Sequence, residues 1–130
     1  VINGEIILNS SGKQYRDFIS LHDVASAVYH FVFVVPDEWG DGIYNLGGDC
    51  TMSILDMAHE VARIYGARYN KDIKDIKTIS NNGSSDSTKP VKYSIDKIAG
   101  TGFHLQGDMA SEIDKTMELW EKFIMSDEDA

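Results

Sequence analysis

Three stretches of the chain carry apolar residues at the spacing of an amphipathic helix. The first begins at Ser20, in a Ser-x-x-Asp pattern typical of helix starts, and it ends before Pro36. The second begins at Ser53 in the same pattern, and Gly66 is its predicted C-terminal stop. The third has its apolar stripe at Met109, Ile113, Met117, Trp120 and Ile124. We therefore expect three main helices, the last of which packs through that stripe.

Short apolar segments bounded by turn residues predict strands at residues 5–8, 15–19, 43–46 and 74–79. Strands and helices then alternate along the chain, which indicates an α/β fold with at least some parallel pairing. The strands are short, however, and a parallel sheet needs both of its faces covered. Because three helices with so few strands make an incomplete sheet, we expect this chain to be one part of a larger fold.

The charge balance argues against two classes of partner. The 130 residues carry 12 Lys and Arg against 21 Asp and Glu, a formal net charge of -9 that repels nucleic acid and anionic lipid. The longest apolar run, residues 31–35, falls far short of the about 20 residues that span a bilayer. The single cysteine, Cys50, cannot form an intrachain disulfide. We therefore expect a cytoplasmic protein that has neither nucleic acid nor a membrane as its partner.

One segment has a specific resemblance: residues 12–27 read Gly-Lys-Gln-Tyr-Arg-Asp-Phe-Ile-Ser-Leu-His-Asp-Val-Ala-Ser-Ala. The run resembles the Gln-x-Arg-Asp-Phe-Ile-x-x-x-Asp-Val-Ala signature in the C-terminal half of nucleotide-sugar epimerases and dehydratases, the extended short-chain dehydrogenase/reductase (SDR) family. Other segments resemble that family in the same order, at residues 42–47, 53–58, 95–103 and 112–120. The resemblance therefore covers almost the whole chain.

The resemblance implies an α/β chain that is the C-terminal part of an extended SDR, Rossmann-type fold. Residues 1–125 would be the substrate-binding portion, and residues 126–130 an acidic tail that frays. The N-terminal NAD(P)-binding domain, which carries the cofactor loop and the catalytic tyrosine and lysine in the family, would be absent from the chain. The full-length enzyme would use NAD or NADP as an epimerase, 4,6-dehydratase or reductase, and this chain alone would bind no cofactor and be inactive.

The resemblance also implies two partners, the nucleotide-sugar substrate and the missing N-terminal Rossmann domain. Family members commonly form homodimers through helices of that domain, so a homodimer is an expectation for the full-length enzyme and not for this chain. A hypothesis from another class is a non-catalytic partner-binding or regulatory module that retains the SDR C-terminal fold. The missing half is compatible with this hypothesis too.

Arg16 is the main candidate for substrate binding. In the family, the arginine of this motif binds the diphosphate of the nucleotide sugar, and a guanidinium suits that role because its donor fork matches phosphate oxygens. Asp17 would hold that fork or a neighbouring backbone amide. The alternative is that Arg16 and Asp17 form an exposed ion pair, worth at most about 1 kcal/mol.

A second basic residue holds the same diphosphate in many members, often in an Arg-Pro pair. Lys89, followed by Pro90, is the nearest candidate here, and another register would use Lys92 instead. Lysine would supply a point charge in place of a bidentate fork. The alternative for either lysine is a solvated loop charge. Residues 81–88, rich in Asn, Gly and Ser, form a predicted loop that could close over a ligand.

Other motif matches are interpreted as chance. Tyr93 and Lys97 spell the family's catalytic Tyr-x-x-x-Lys, but they lie after the Arg-Asp-Phe motif, whereas the family's catalytic pair lies before it. Residues 100–102, Gly-Thr-Gly, follow no predicted strand and lack a third glycine, so they are no dinucleotide fingerprint. The four histidines lack metal-ligand spacing, and Cys50 has no neighbouring base. No catalytic, cofactor or metal residue is therefore assigned within the chain.

Overall fold

The computed structural model describes residues 4–35, 40–79, 89–90 and 93–128, with side chains up to residue 123. The strands are β1 (Glu5–Leu8), β2 (Tyr15–Phe18), β3 (Cys50–Ser53) and β4 (Asp75–Thr78). The helices are α1 (Leu21–Phe33), α2 (Ile54–Tyr69), a short α3 (Asp96–Ala99) and α4 (Met109–Glu128). The α/β class with three main helices is confirmed. α4 includes residues 126–128, which were expected to belong to a frayed tail.

The strands form two separate two-stranded sheets. β1 and β4 run parallel, with Ile6 opposite Ile76, which confirms both the parallel pairing and the strand predicted near residues 74–79. β2 and β3 run antiparallel, with Arg16 opposite Met52. The described residues therefore contain the incomplete sheet that was expected. Sheets of two strands are marginal on their own.

The strand predicted at residues 43–46 is wrong, because this segment makes no ladder and the strand follows at Cys50–Ser53 instead. A hydrogen bond from a side chain and packing against the core hold this segment in place of a strand ladder. The carbonyl oxygen of Ile43 accepts a hydrogen bond from Nζ of Lys97 at 2.6 Å. Tyr44 and Leu46 pack against the hydrophobic core. The apolar alternation that suggested a strand therefore serves packing.

The helices α1 and α2 begin where the sequence predicts. The Ser20 hydroxyl accepts from the backbone N–H of Asp23 at 2.9 Å, and Ser53 forms a complete capping box with Asp56. The predicted stop of α2 at Gly66 is wrong, because the helix continues to Tyr69 and ends at Asn70, whose φ of 51° is left-handed. Asparagine tolerates that conformation and can replace glycine as a helix terminator.

The core lies between α1 and the chain around α3. Its buried centre is Ala27 of α1, Ile98 and Phe103. His30 is also buried on α1, with its ring centroid 5.7 Å from that of Phe103. On the other side of the chain, α4 packs on α2. Among the helices within the described ranges, none has the length and apolar character needed to cross a membrane.

Candidate functional site

The β2–β3 pair presents Arg16 to solvent. Alternate residues of a strand point to opposite faces, and on β2 the side chain of Arg16 is exposed while those of Tyr15 and Asp17 are half-buried. The guanidinium makes one local hydrogen bond, from Nη1 to the carbonyl oxygen of Tyr15 at 2.7 Å. Most of its five donors are therefore available to a ligand.

Asp17 binds backbone amides on the neighbouring strand and turn. Its carboxylate accepts from the N–H of Gly48 at 2.7 Å, from the N–H of Cys50 at 3.2 Å and from the hydroxyl of Thr51 at 3.3 Å. Of the two roles considered for Asp17, these contacts correspond to the backbone-amide role. The carboxylate ties the turn at residues 47–49 to β2, and so it braces the strand that carries Arg16.

Two glycines make this close approach feasible. A Cβ atom at Gly48 would overlap the carbonyl oxygen of Phe18, so no other residue fits there without moving the backbone. A Cβ atom at Gly47 would lie 2.6 Å from Oδ2 of Asp17, which is closer than real Cβ atoms come. The turn is therefore packed directly against β2.

The chain has three arginines, and they differ in their partners. Arg63 donates to Glu60 at 2.9 Å, and Arg68 pairs with Asp114 at 2.8 Å and Glu121 at 3.0 Å. The carboxylates of Glu121 and Asp114 raise the pKa of Arg68 above its ordinary value. Arg16, by contrast, has no ion-pair partner among the residues that the structure describes.

Only part of the predicted second cation site falls within the described chain. Lys89 is exposed beside Pro90, whereas Lys92 and the predicted loop at residues 81–88 lie outside the described residues. The chain that follows returns to the hairpin: a Cβ atom at Gly47 would lie 3.4 Å from Cδ1 of Tyr93. The segment after Lys89 therefore reaches the turn that Asp17 holds.

Lys97 makes its contacts with residues 41–44. Its ammonium group pairs with Asp41, donates to the carbonyl oxygen of Ile43 at 2.6 Å and lies 4.6 Å from the ring centroid of Tyr44. The hydrogen bond from Lys97, followed by that from the N–H of Ile43, lowers the pKa of Asp41. These contacts give Lys97 a structural role in holding residues 41–44. They support the interpretation of Tyr-x-x-x-Lys as a chance match.

Asp23 forms a second carboxylate clamp, which sequence reasoning missed. It is 2% exposed, and it accepts from the Ser20 hydroxyl at 2.8 Å, from the N–H of Gln106 at 2.8 Å and from the N–H of Gly107 at 3.0 Å. Burial raises its pKa, but the hydrogen bonds from Gln106, Ser20 and Gly107 outweigh burial, so the pKa lies below its ordinary value. Asp23 joins the start of α1 to a loop about eighty residues away along the chain. No local pattern in the sequence signals that pair.

The remaining candidates show no catalytic arrangement. Burial, together with the negative charges of Asp17 and Asp49, raises the pKa of the Cys50 thiol, which disfavours a nucleophilic thiolate. His30 donates from Nε2 to the Thr101 hydroxyl at 2.9 Å, because that hydroxyl itself donates to the carbonyl of Ile98. In the described part of the chain, no group of three or more His, Cys, Asp or Glu residues is placed to hold a metal ion.

A separate apolar cavity of about 530 Å³ lies between α2 and α4. Apolar and aromatic side chains line most of it, including Val61, Tyr65, Ile113, Met117 and Trp120. Arg16 and Lys89 are not among its lining residues. The cavity is therefore distinct from the anion-binding candidate on β2.

The fold of this chain has a counterpart among solved structures. A UDP-N-acetylglucosamine 4-epimerase from Methanobrevibacter ruminantium M1, in complex with UDP-N-acetylmuramic acid, matches 93% of this chain with a TM-score of 0.70 and 19% sequence identity. The chain has the fold of the C-terminal part of an epimerase of this kind. It spans 36% of the length of that epimerase. No protein-family model and no curated protein sequence matches the chain.

Proposed function

We propose that this chain is the nucleotide-sugar-binding portion of an NAD(P)-dependent epimerase, 4,6-dehydratase or reductase, and that Arg16 binds the substrate diphosphate. The observation that carries the proposal is the free guanidinium of Arg16. Its strand neighbour Asp17 is occupied by Gly48 and Cys50, and no other described carboxylate pairs with it. In a chain with a net charge of -9, an arginine without a carboxylate partner is well suited to an anionic ligand.

The fold comparison supports the class of substrate. The matching epimerase was solved with a UDP-linked sugar, and such a molecule carries a diphosphate with several phosphate oxygens. A planar guanidinium can bind two of these oxygens at once. The Gln-Tyr-Arg-Asp-Phe-Ile segment at residues 14–19 supplies that guanidinium on a braced strand.

Lys89 is the proposed second cation, with Lys92 as the alternative register. Lys89 is exposed and lies four residues before Tyr93, which contacts the Gly47 turn. Four extended residues reach up to about 14 Å, so the ammonium group can approach a diphosphate held at the hairpin. Replacing each lysine singly by alanine and measuring the affinity for the nucleotide sugar would tell which of the two contributes.

The test uses the complete enzyme, meaning this chain together with a dinucleotide-binding domain. UDP, dTDP and GDP are titrated calorimetrically, since the base is not specified by Arg16. For whichever nucleoside diphosphate binds, we expect Arg16→Ala to lower the affinity by about 10- to 100-fold, because charged hydrogen bonds to phosphate are lost. The affinity for NAD should stay the same.

Arg63→Ala is the matched control, because Arg63 is exposed on α2 and pairs only locally with Glu60. It should leave the nucleoside diphosphate affinity unchanged. Arg16→Lys should give an intermediate affinity, since it retains the charge and loses the fork. An unchanged dissociation constant in Arg16→Ala would reject the assignment of Arg16. If none of the three nucleoside diphosphates binds, the non-catalytic module becomes the better hypothesis.

A further inference from the structure

The apolar stripe of α4 faces α2 across the cavity of about 530 Å³. Ion pairs hold the two helices together beside it, since Arg68 of α2 donates to Asp114 at 2.8 Å and to Glu121 at 3.0 Å. The neighbours of these three residues in sequence line the cavity: Tyr69, Ile113 and Trp120. The ion pairs therefore fix the spacing of the two helices around this space.

The cavity has the size and the walls of a small-molecule site. Such sites measure about 300 to 1,000 Å³, and their walls are mostly apolar and aromatic with a few polar groups. The Ser20 hydroxyl on this wall already donates to Asp23 at 2.8 Å. The Thr116 hydroxyl donates to the carbonyl oxygen of Glu112 at 2.7 Å. The carboxylate of Glu112 is then the strongest polar group that remains to select a ligand.

Glu112 gives the cavity a negative wall. Among the described residues that line the cavity, it carries the only full charge. Its side chain is 19% exposed, and its carboxylate accepts from the N–H of Leu21 at 3.2 Å and from Nζ of the exposed Lys115 at 3.3 Å. A carboxylate has about four acceptor positions, so it can accept a further donor from a ligand. This wall favours a cationic ligand over an anionic one.

Aromatic rings on the same wall also suit a cation. The ring centroids of Tyr65 and Tyr69 lie 4.6 Å apart, with 48° between the ring planes. The guanidinium of Arg68 already lies 5.7 Å from the centroid of the Tyr69 ring. Trp120, whose ring attracts cations most strongly among aromatic side chains, is 58% exposed and therefore accessible from solvent. The aromatic rings and the carboxylate together resemble the cages that hold ammonium groups.

We propose that the cavity between α2 and α4 binds a small organic amine in its ammonium form, with an apolar body. The ammonium group donates to the carboxylate of Glu112 and contacts the rings of Tyr65 and Trp120, and the apolar body packs against Ile113 and Met117. The net charge of -9 adds a general attraction for cations. The proposal is independent of the proposed function, because the site at Arg16 is elsewhere and selects the opposite charge.

The first test compares three probes that share one ring system, using the full-length protein. Naphthylmethylamine is the cation, naphthylmethanol its neutral counterpart and naphthoate the anion. Calorimetric titration should show that the amine binds at least about tenfold more tightly than the alcohol, because it gains a charged hydrogen bond. Naphthoate should bind most weakly of the three, since it would meet the carboxylate of Glu112.

The location of the bound amine is read from isotope-labelled methionine methyl groups by NMR. Met109 and Met117 line the cavity, and their methyl signals should shift on addition of naphthylmethylamine. Met52 lies on β3 and is not among the lining residues, so its signal is the internal control and should stay in place.

Glu112→Gln tests the source of the preference for a cation. It retains the side-chain shape and an acceptor oxygen, so the amine should lose about tenfold in affinity while the alcohol is unaffected. Glu118→Gln is the matched control, because Glu118 lies on the same helix, pairs with Lys122 and does not line the cavity. If Glu112→Gln fails to fold, Tyr65→Leu replaces it and should lower the affinity for the amine about fivefold through the lost cation–π contact.

Several results would overturn the proposal. They are equal affinities for the amine and the alcohol, methyl shifts at Met52 without shifts at Met109 and Met117, an unchanged amine affinity in the folded Glu112 or Tyr65 variant, and no amine binding below about 1 mM. Arg16→Ala should leave amine binding unchanged, because Arg16 does not line the cavity. The nucleoside diphosphate titrations can therefore fail while the amine site stands, and the reverse also holds.

Discussion

Within residues 12–27, the charged side chains of Arg16, Asp17 and Asp23 have two kinds of role. Asp17 and Asp23 each accept hydrogen bonds from backbone amides of distant segments, at Gly48 and at Gly107. Arg16 instead is exposed to solvent, and its guanidinium bonds only the carbonyl oxygen of the adjacent Tyr15. The two acidic residues thus fix the position of the strand and the helix start, whereas Arg16 is the side chain proposed to bind a ligand.

The Asp23 clamp predicts a pH-dependent loss of stability. Its pKa is lower in the folded chain than its ordinary value of 3.8, so its contribution is complete above that value and is lost as the pH falls through the folded pKa. At pH 7, Asp23→Ala should destabilise the fold by about 2 to 3 kcal/mol, because the N–H groups of Gln106 and Gly107 lose their acceptor. Urea unfolding at pH 7 and at pH 3 measures this difference, which should shrink at the lower pH.

Asp75→Ala is the control for Asp23→Ala. Asp75 is exposed on β4, so its replacement should change stability by no more than about 0.5 kcal/mol at either pH. If Asp23→Ala is as mild as this control at pH 7, the clamp does not contribute to stability as described.

At the scale of elements, the capping signals at helix starts were reliable, and features that depend on long-range contacts were not predictable. The starts of α1 and α2 were predictable because Ser20 and Ser53 cap residues only three positions away. The position of β3 was not, because it depends on contacts across the hairpin: Asp17 takes the N–H groups of Gly48 and Cys50, and the ladder begins there. The link from Asp23 to Gln106 was unpredictable for the same reason.

The end of α2 gives a second prediction. In its helical conformation, Gly66 has room for a Cβ atom, whose nearest neighbour would be the carbonyl oxygen of Lys71 at 3.5 Å. Gly66→Ala should therefore stabilise the chain by about 0.5 to 1 kcal/mol, since alanine is the better helix former. Thermal unfolding measures the change.

Asn70 is the matched position, because its φ of 51° is tolerated by Asn and Gly but is unfavourable for Ala. Asn70→Ala should cost about 1 kcal/mol, and Asn70→Gly should cost nothing. If Gly66→Ala destabilised the chain and Asn70→Ala did not, α2 would end at Gly66 as the sequence alone suggested.

At the scale of the whole molecule, the strands and turns that the structure describes differ from those of a dinucleotide phosphate site. Its four strands form two separate pairs. The Gly-Thr-Gly run at residues 100–102 follows the four-residue helix α3 and not a strand. A dinucleotide phosphate site needs a strand, a Gly-rich turn and the start of a long helix in that order. Arg16, which is exposed on β2, is instead proposed to bind the substrate.

The isolated chain should therefore neither bind NAD or NADP nor convert a nucleotide sugar. The physical reason is that, within the described residues, no Gly-rich turn joins a strand to the start of a long helix where the pyrophosphate of the cofactor could bind. Calorimetric titration of the purified chain with each cofactor, in parallel with cofactor fluorescence, measures this, and an established NAD-dependent dehydrogenase serves as the positive control. Micromolar affinity of the isolated chain for either cofactor would contradict the prediction, and it would place the cofactor site in a part of the chain that the resemblance assigns to substrate.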